Sequence, residues 1–206
     1  MTRVKICGMA GEQDIGYANT LKPDYIGFVF APGSRRYITP ARAAVLREKL
    51  QPGIIPVGVF VNEPLENICG LLDRGVIEMV QLHGREDEAY VYALRKRISQ
   101  PVSQAFSIKS HQDLERAVRS KADYILLDNG PGGTGETFDW SLLEGIYRPY
   151  FLAGGLHEKN VRLAVERLEP YGVDVSSGVE TDGRKDFEKM RGFLKALEEI
   201  DQELKK

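Results

Sequence analysis

The stretch YIGFVFAPGSRRYITPARAAVLREKLQPGIIPVGVF, residues 25–60, decides the fold. It opens on the apolar, β-branched and aromatic run YIGFVF at 25 and closes on a second, IPVGVF at 55. Between them, TPARAAVLREKL carries helix-start signals. Thr39 suits an N-cap and Pro40 the first helical position, where its missing N–H has no partner to lose. Strand, helix and strand in that order predict parallel pairing through a right-handed crossover.

The same unit recurs along the chain. Further runs RVKIC, MVQLH, VSQAF, YILLD, YFLAG and GVDVSS begin at 3, 79, 102, 124, 150 and 172, so eight runs start 22 to 30 residues apart. NEPLENICGLLDRG reads as a helix with Glu63 as N-cap, Pro64 at the first helical position and Gly75 at its end. SHQDLERAVRS reads as another, with Ser110 capping and Asp113 three residues later, close to a capping box. His111 and His157 fall at helix starts, and a helix begins near Glu158. SLLEGIY, after the sixth run, is too short for a full helix. Eight units at this spacing predict a closed (βα)8 TIM barrel, one domain over residues 1–206. An open doubly wound sheet seldom sustains eight even units. A barrel typically has about 250 residues, so a chain of 206 must trim its helices and loops.

Composition bounds the partners. The formal net charge is −2, with 28% charged residues of mixed sign, which argues against a nucleic-acid surface but allows a locally built anion site. Two cysteines, Cys7 and Cys69, make a disulfide framework improbable and a reducing compartment the simplest expectation. Strand one begins almost at once, leaving no space for a signal peptide, and no apolar run reaches membrane-spanning length. A cytoplasmic protein with no membrane partner is expected.

In a barrel, chemistry gathers at the C-terminal strand ends. The first strand ends in Cys7-Gly8, and strand alternation puts Lys5 and Cys7 into the barrel, with Val4 and Ile6 towards the helices. A thiol of pKa about 8.5 can be lowered by a cation or amide dipoles into a base or nucleophile. The plainer alternative is a small buried hydrophobe, which is the favoured reading of Cys69. The sixth strand ends in Asp128, a carboxylate on an apolar strand, which is either a general acid with a raised pKa or a loop-organising cap. Gly130 to Thr137 fits a P-loop pattern except for Glu136 in place of lysine, and no full helix follows, so a nucleotide cradle is rejected. LAGGL and DVSSGVE close the last two strands. Gly154, Gly155, Ser176, Ser177 and Gly178 suit a phosphate site of backbone N–H groups and hydroxyls beside a helix N-terminus. Arg35 and Arg36 follow the second strand, and a guanidinium there can fork onto a carboxylate. Gln81 and His83 share a face of the fourth strand, His83 acting chemically or simply hydrogen-bonding at the rim. No His, Cys and acid set has metal-ligand spacing, so no metal is expected.

Together, VKICGM, IGFVF with SRRYITP, PVGVFVN, VQLHG, LLD with GGTGETFDW, LAGGL and GVDVSSGVE resemble the phosphoribosylanthranilate isomerase family in order along essentially the whole chain. The resemblance implies an Amadori rearrangement of a phosphorylated sugar-anthranilate substrate, in tryptophan biosynthesis. It makes Asp128 the general acid that opens the ribose ring and Cys7 the general base that removes the C2′ proton. It places the substrate carboxylate on Arg36 and the phosphate on Gly154, Gly155, Ser176, Ser177 and Gly178, with Asp174 ordering the site, while Lys5 and His83 are supporting residues by their strand-end positions. No cofactor is implied, because the Schiff base itself withdraws electrons. Monomer and homodimer stay open. Arg35 stands where the family often has proline and Glu136 where lysine is frequent, which bears on the setting of those two loops. The rivals are other phosphate-binding barrels and a silent barrel. The histidine-pathway aminoaldose–ketose isomerase is expected to use two aspartates. Indole-glycerol-phosphate synthase is expected to use lysine and glutamate behind an N-terminal extension. A silent barrel needs neither Cys7 nor Asp128.

Overall fold

The structure, a computed structural model, describes residues 2–128, 140–143 and 145–203. Eight parallel strands close into a barrel in chain order: β1 (Arg3–Cys7), β2 (Tyr25–Val29), β3 (Ile55–Phe60), β4 (Met79–Leu82), β5 (Val102–Ser107), β6 (Tyr124–Asp128), β7 (Tyr150–Leu152) and β8 (Gly172–Val175). Each begins where its apolar run begins. β1 pairs with both β2 and β8, which closes the ring.

Helices α1 (Glu12–Leu21), α2 (Pro40–Glu48), α3 (Leu65–Asp73), α4 (Glu88–Arg95), α5 (His111–Arg119), α6 (Glu158–Leu168) and α7 (Phe187–Glu203) form the outer layer. Thr39 caps α2, accepting from the Arg42 N–H with Pro40 first in the helix, and Ser110 caps α5, accepting from the Asp113 N–H. α3 starts one residue later than expected: Pro64, not Glu63, is the N-cap, and Leu65 is the first helical residue. Glu63 instead turns its carboxylate to the Asn67 side-chain amide. A 3₁₀ turn, Trp140–Leu143, stands where a helix would follow β6. This is one place where the barrel is trimmed. After β8 comes another 3₁₀ turn, Ser177–Val179, and a two-strand hairpin, β9 (Glu180–Thr181) with β10 (Arg184–Lys185).

Strand alternation sorts the core. Val4, Ile6, Ile26 and Phe28 point outward into one cluster with Leu46, Ile68, Leu94 and Phe193 of the helices. Tyr25, Val57, Met79, Leu126 and Phe151 fill the barrel interior. Each such side chain, fully buried, contributes about 1.5–3 kcal/mol. The hydroxyls of Tyr25 and Tyr124 meet that of Tyr171 at 3.2 and 3.4 Å. These side chains sit at the N-terminal strand ends, which leaves the opposite end as the open one. Among the described residues, no helix is long and apolar enough to cross a membrane.

Candidate active site

At the C-terminal strand ends lies a cavity of about 290 Å³. Cys7, Arg36, His83, Asp128, Gly154, Gly155, Asp174, Ser176 and Ser177 all line it, as do Gln81 and Ser34. Ten residues singled out in the sequence thus line one cavity. Lys5 and Gly178 are not among its lining residues. The segment 129–139, with the glycine-rich loop and Glu136, lies outside the described residues.

Cys7 is 8% exposed and packs with Val29 and Val59 at the barrel mouth. Its sulfur occupies space opened by Gly27, the cross-strand partner on β2. Beneath it, Lys5 is 2% exposed and its Nζ donates to Asp174 Oδ1 at 2.9 Å. Cross-strand register between β1 and β8 sets that pair. The electrostatics correct one expectation. Burial pushes the Cys7 thiol up, and the downward pull of Lys5, with a smaller one from Lys185, does not overcome it. Lys5 itself is held above its ordinary value, because Asp174 and Cys7 outweigh its burial.

Gln81 Nε2 and His83 Nδ1 lie within hydrogen-bond distance, at 2.9 Å. Burial lowers the imidazole despite Asp128 and Asp174, so the ring is neutral near pH 7. The loop after β4 is fixed by Glu86, whose carboxylate accepts from the Asn62 and Gly84 N–H groups.

Arg36 is reached through a short turn in which its own N–H donates to Ser34 Oγ at 3.1 Å. Arg35 beside it is exposed. The Arg36 guanidinium is clamped side-on by Glu180, Nε to Oε1 at 2.7 Å and Nη2 to Oε2 at 2.8 Å. Lys185 Nζ also reaches Glu180 Oε1, at 2.6 Å. Although burial pushes Glu180 up, these two cations hold its carboxyl below the usual value. Burial lowers Lys185, against the pull of Glu180. Glu180 and Lys185 were not singled out from sequence. Glu180 closes the DVSSGVE motif, a signal that was available, whereas Lys185 sits in the charged stretch GRKD, outside every motif quoted.

The loops after β7 and β8 meet backbone to backbone. A β-carbon at Gly178 would lie 1.9 Å from the Leu156 carbonyl oxygen. Gly154 and Gly155 have φ of 87° and 64°, the region glycine enters freely. Ser176 Oγ donates to the Cys7 carbonyl at 3.0 Å, tying the last loop to the first strand. The expected helix N-terminus is modified in detail. α6 closes its own first turn, with His157 N–H donating to Asn160 Oδ1 and Lys159 N–H to His157 Nδ1, and the 3₁₀ turn Ser177–Val179 stands nearer the cavity lining. Among the described residues, no group of three or more His, Cys, Asp or Glu is placed to hold a metal.

Comparison with known proteins converges on one family. Residues 4–196 match the family described as N-(5′-phosphoribosyl)anthranilate (PRA) isomerase. The N-(5′-phosphoribosyl)anthranilate isomerase of Endomicrobium trichonymphae is 45% identical over 204 residues, covering 97% of this chain and all of the relative. A phosphoribosyl anthranilate isomerase solved with reduced 1-(o-carboxyphenylamino)-1-deoxyribulose 5-phosphate superposes with a TM-score of 0.87 at 38% identity, over 97% of this chain and 100% of that one. Monomers generated from the dimeric enzyme of Thermotoga maritima give 0.86 at 39%, with the same coverage.

Proposed function

The chain belongs to the N-(5′-phosphoribosyl)anthranilate isomerase family, enzymes of tryptophan biosynthesis, and from that premise we propose that Cys7 is its general base and Asp128 its general acid. The substrate is N-(5′-phosphoribosyl)anthranilate. Asp128 delivers a proton to the ribose ring oxygen as the anilino nitrogen lone pair forms the C1′=N bond and the C1′–O bond breaks. The resulting Schiff base makes the C2′ hydrogen acidic. Cys7, as thiolate, takes that proton, and the electron pair moves through C1′ to nitrogen to give an enolamine. Tautomerisation yields the 2′-ketone of 1-(2-carboxyphenylamino)-1-deoxyribulose 5-phosphate. The isomerisation is internal, so no external oxidant or cofactor enters its balance.

What carries the reading is that Cys7 of β1 and Asp128 of β6 line one cavity together with Arg36 and the last two loops. Each general acid or base step contributes about 10²–10⁴-fold. Lys5 and Lys185 supply the positive charge that favours the Cys7 thiolate, and Asp174 holds Lys5 in place. Arg36 takes the anthranilate carboxylate as a charge-assisted fork. The phosphate rests on Gly154, Gly155, Ser176, Ser177 and Gly178, where glycine allows the backbone close approach. In this reading residues 1–206 act as one catalytic domain in the cytoplasm, as a monomer or homodimer.

The test follows anthranilate fluorescence. Phosphoribosylanthranilate is generated in situ, and its decay is recorded with wild type, Cys7→Ala and Asp128→Ala. Fast decay with wild type and near silence from both variants is expected. Undiminished decay with Cys7→Ala would return that thiol to a packing role, and the same result with Asp128→Ala would remove the acid.

A further inference from the structure

Glu180 and Lys185 are cross-strand partners on β9 and β10, a hairpin folded against Arg36 and the loop after β8. Their side chains are 8% and 1% exposed. Glu180 occupies the Nε/Nη2 side of Arg36, leaving the Nη1/Nη2 end for another anion. By charge alone, Glu180 would cancel Arg36. Lys185 restores one net positive charge to the triad, and it does so without meeting the ligand. Its ammonium is spent on Glu180 Oε1 at 2.6 Å, the Ser176 carbonyl at 3.1 Å and Ser176 Oγ at 3.5 Å.

We propose that Lys185 and Glu180 are positioning residues that fix the free edge and the net charge of Arg36, and so determine recognition of the substrate's ring carboxylate. The inference rests on the reading of Arg36 as the carboxylate site. Glu180 occupies the side-on edge of the guanidinium, so the end-on fork is the one left to match a single planar carboxylate. Lys185 offsets the Glu180 charge from a buried position, where screening by water is weak. Its second bond, to the Ser176 carbonyl, couples the same device to the loop proposed for phosphate.

The experiment measures calorimetric binding of reduced 1-(o-carboxyphenylamino)-1-deoxyribulose 5-phosphate and of its counterpart lacking the ring carboxylate. Loss of one partner from a buried charge pair is large, so Lys185→Met is expected to weaken the carboxylated ligand by about tenfold or more and the carboxylate-free one by less than about twofold. Glu180→Gln combined with Lys185→Met removes both compensating charges and leaves one acceptor for Arg36, so binding should return to within about threefold of wild type. Equal losses for the two ligands, or a double variant as weak as Lys185→Met, overturn the inference. Arg36→Met separates the two levels. If it spares the carboxylated ligand, the carboxylate site itself is wrong and this inference falls with it. If it discriminates while Lys185→Met does not, only the role of Lys185 falls.

Discussion

Gly27 stands opposite Cys7 in the β1–β2 ladder, and a β-carbon there would lie 2.7 Å from the thiol sulfur and 3.1 Å from the Cys7 Cα. The thiol therefore occupies the volume of a side chain that β2 lacks. Gly27→Ala must displace either the sulfur or the strand. Overpacking of this kind costs about 1–3 kcal/mol, to be read from urea denaturation. Turnover of the folded protein should fall as well, by about tenfold or more, because a misplaced base loses its alignment to C2′. A folded Gly27→Ala protein with wild-type turnover would show that the sulfur's position is not critical.

The Cys7 thiol is pushed up by burial and drawn down by Lys5 and Lys185, while Asp174 pushes it up. Alkylation needs the thiolate, so iodoacetamide modification of Cys7, read apart from the protonation of Asp128, should accelerate with pH and keep accelerating beyond the range in which a free thiol has ionised. Lys5→Met removes the strongest downward pull and should displace the profile to higher pH. A plateau already reached at acid pH would contradict the raised thiol.

How much of this was legible in sequence depends on where the signal lives. The eight strands were, because β-branched runs at 22 to 30-residue spacing reflect a repeated local unit. Cys7 and Asp128 were reachable because barrel geometry gathers strand ends, whereas Arg36 sits on the loop after β2 and was set apart from Arg35 by the family resemblance. The start of α3 was missed by one residue, since Pro64 takes the cap position while the Glu63 carboxylate turns to Asn67. Lys185 could not be read. Its burial comes from a two-residue strand folding over Glu180, and two residues carry no periodicity. Gly27 was equally silent, because its meaning depends on register with β1. The direction of the Cys7 shift needed three dimensions too: sequence places Lys5 nearby but does not measure how completely the thiol leaves water.

His83 gives a stability prediction on the acid side. Its folded-state pKa lies below the ordinary imidazole value, with burial outweighing the upward pulls of Asp128, Asp174 and Glu86. A depressed pKa means stability that is present above the unfolded-state value and lost as pH falls through the folded-state one. The urea midpoint should therefore drop on acidification below the ordinary imidazole range, and less steeply in His83→Gln. Identical slopes for the two proteins would show that the ring is not held neutral.

Gly178 gives the last prediction, because it separates binding from chemistry. The Leu156 carbonyl oxygen would sit 1.9 Å from a β-carbon at Gly178, so Gly178→Ala must push the loops after β7 and β8 apart. Neither Cys7 nor Asp128 lies on those loops. If the loops hold the phosphate in ground and transition states alike, loosening them removes uniform binding, which raises KM and leaves kcat in place. The expectation is a KM higher by about tenfold, kcat within about threefold, and an equally weakened inhibition by inorganic phosphate. A fall in kcat at unchanged KM would mean that the loops shape the reacting centre rather than the phosphate site, and the assignment of Gly154, Gly155, Ser176 and Ser177 would have to be given up with it.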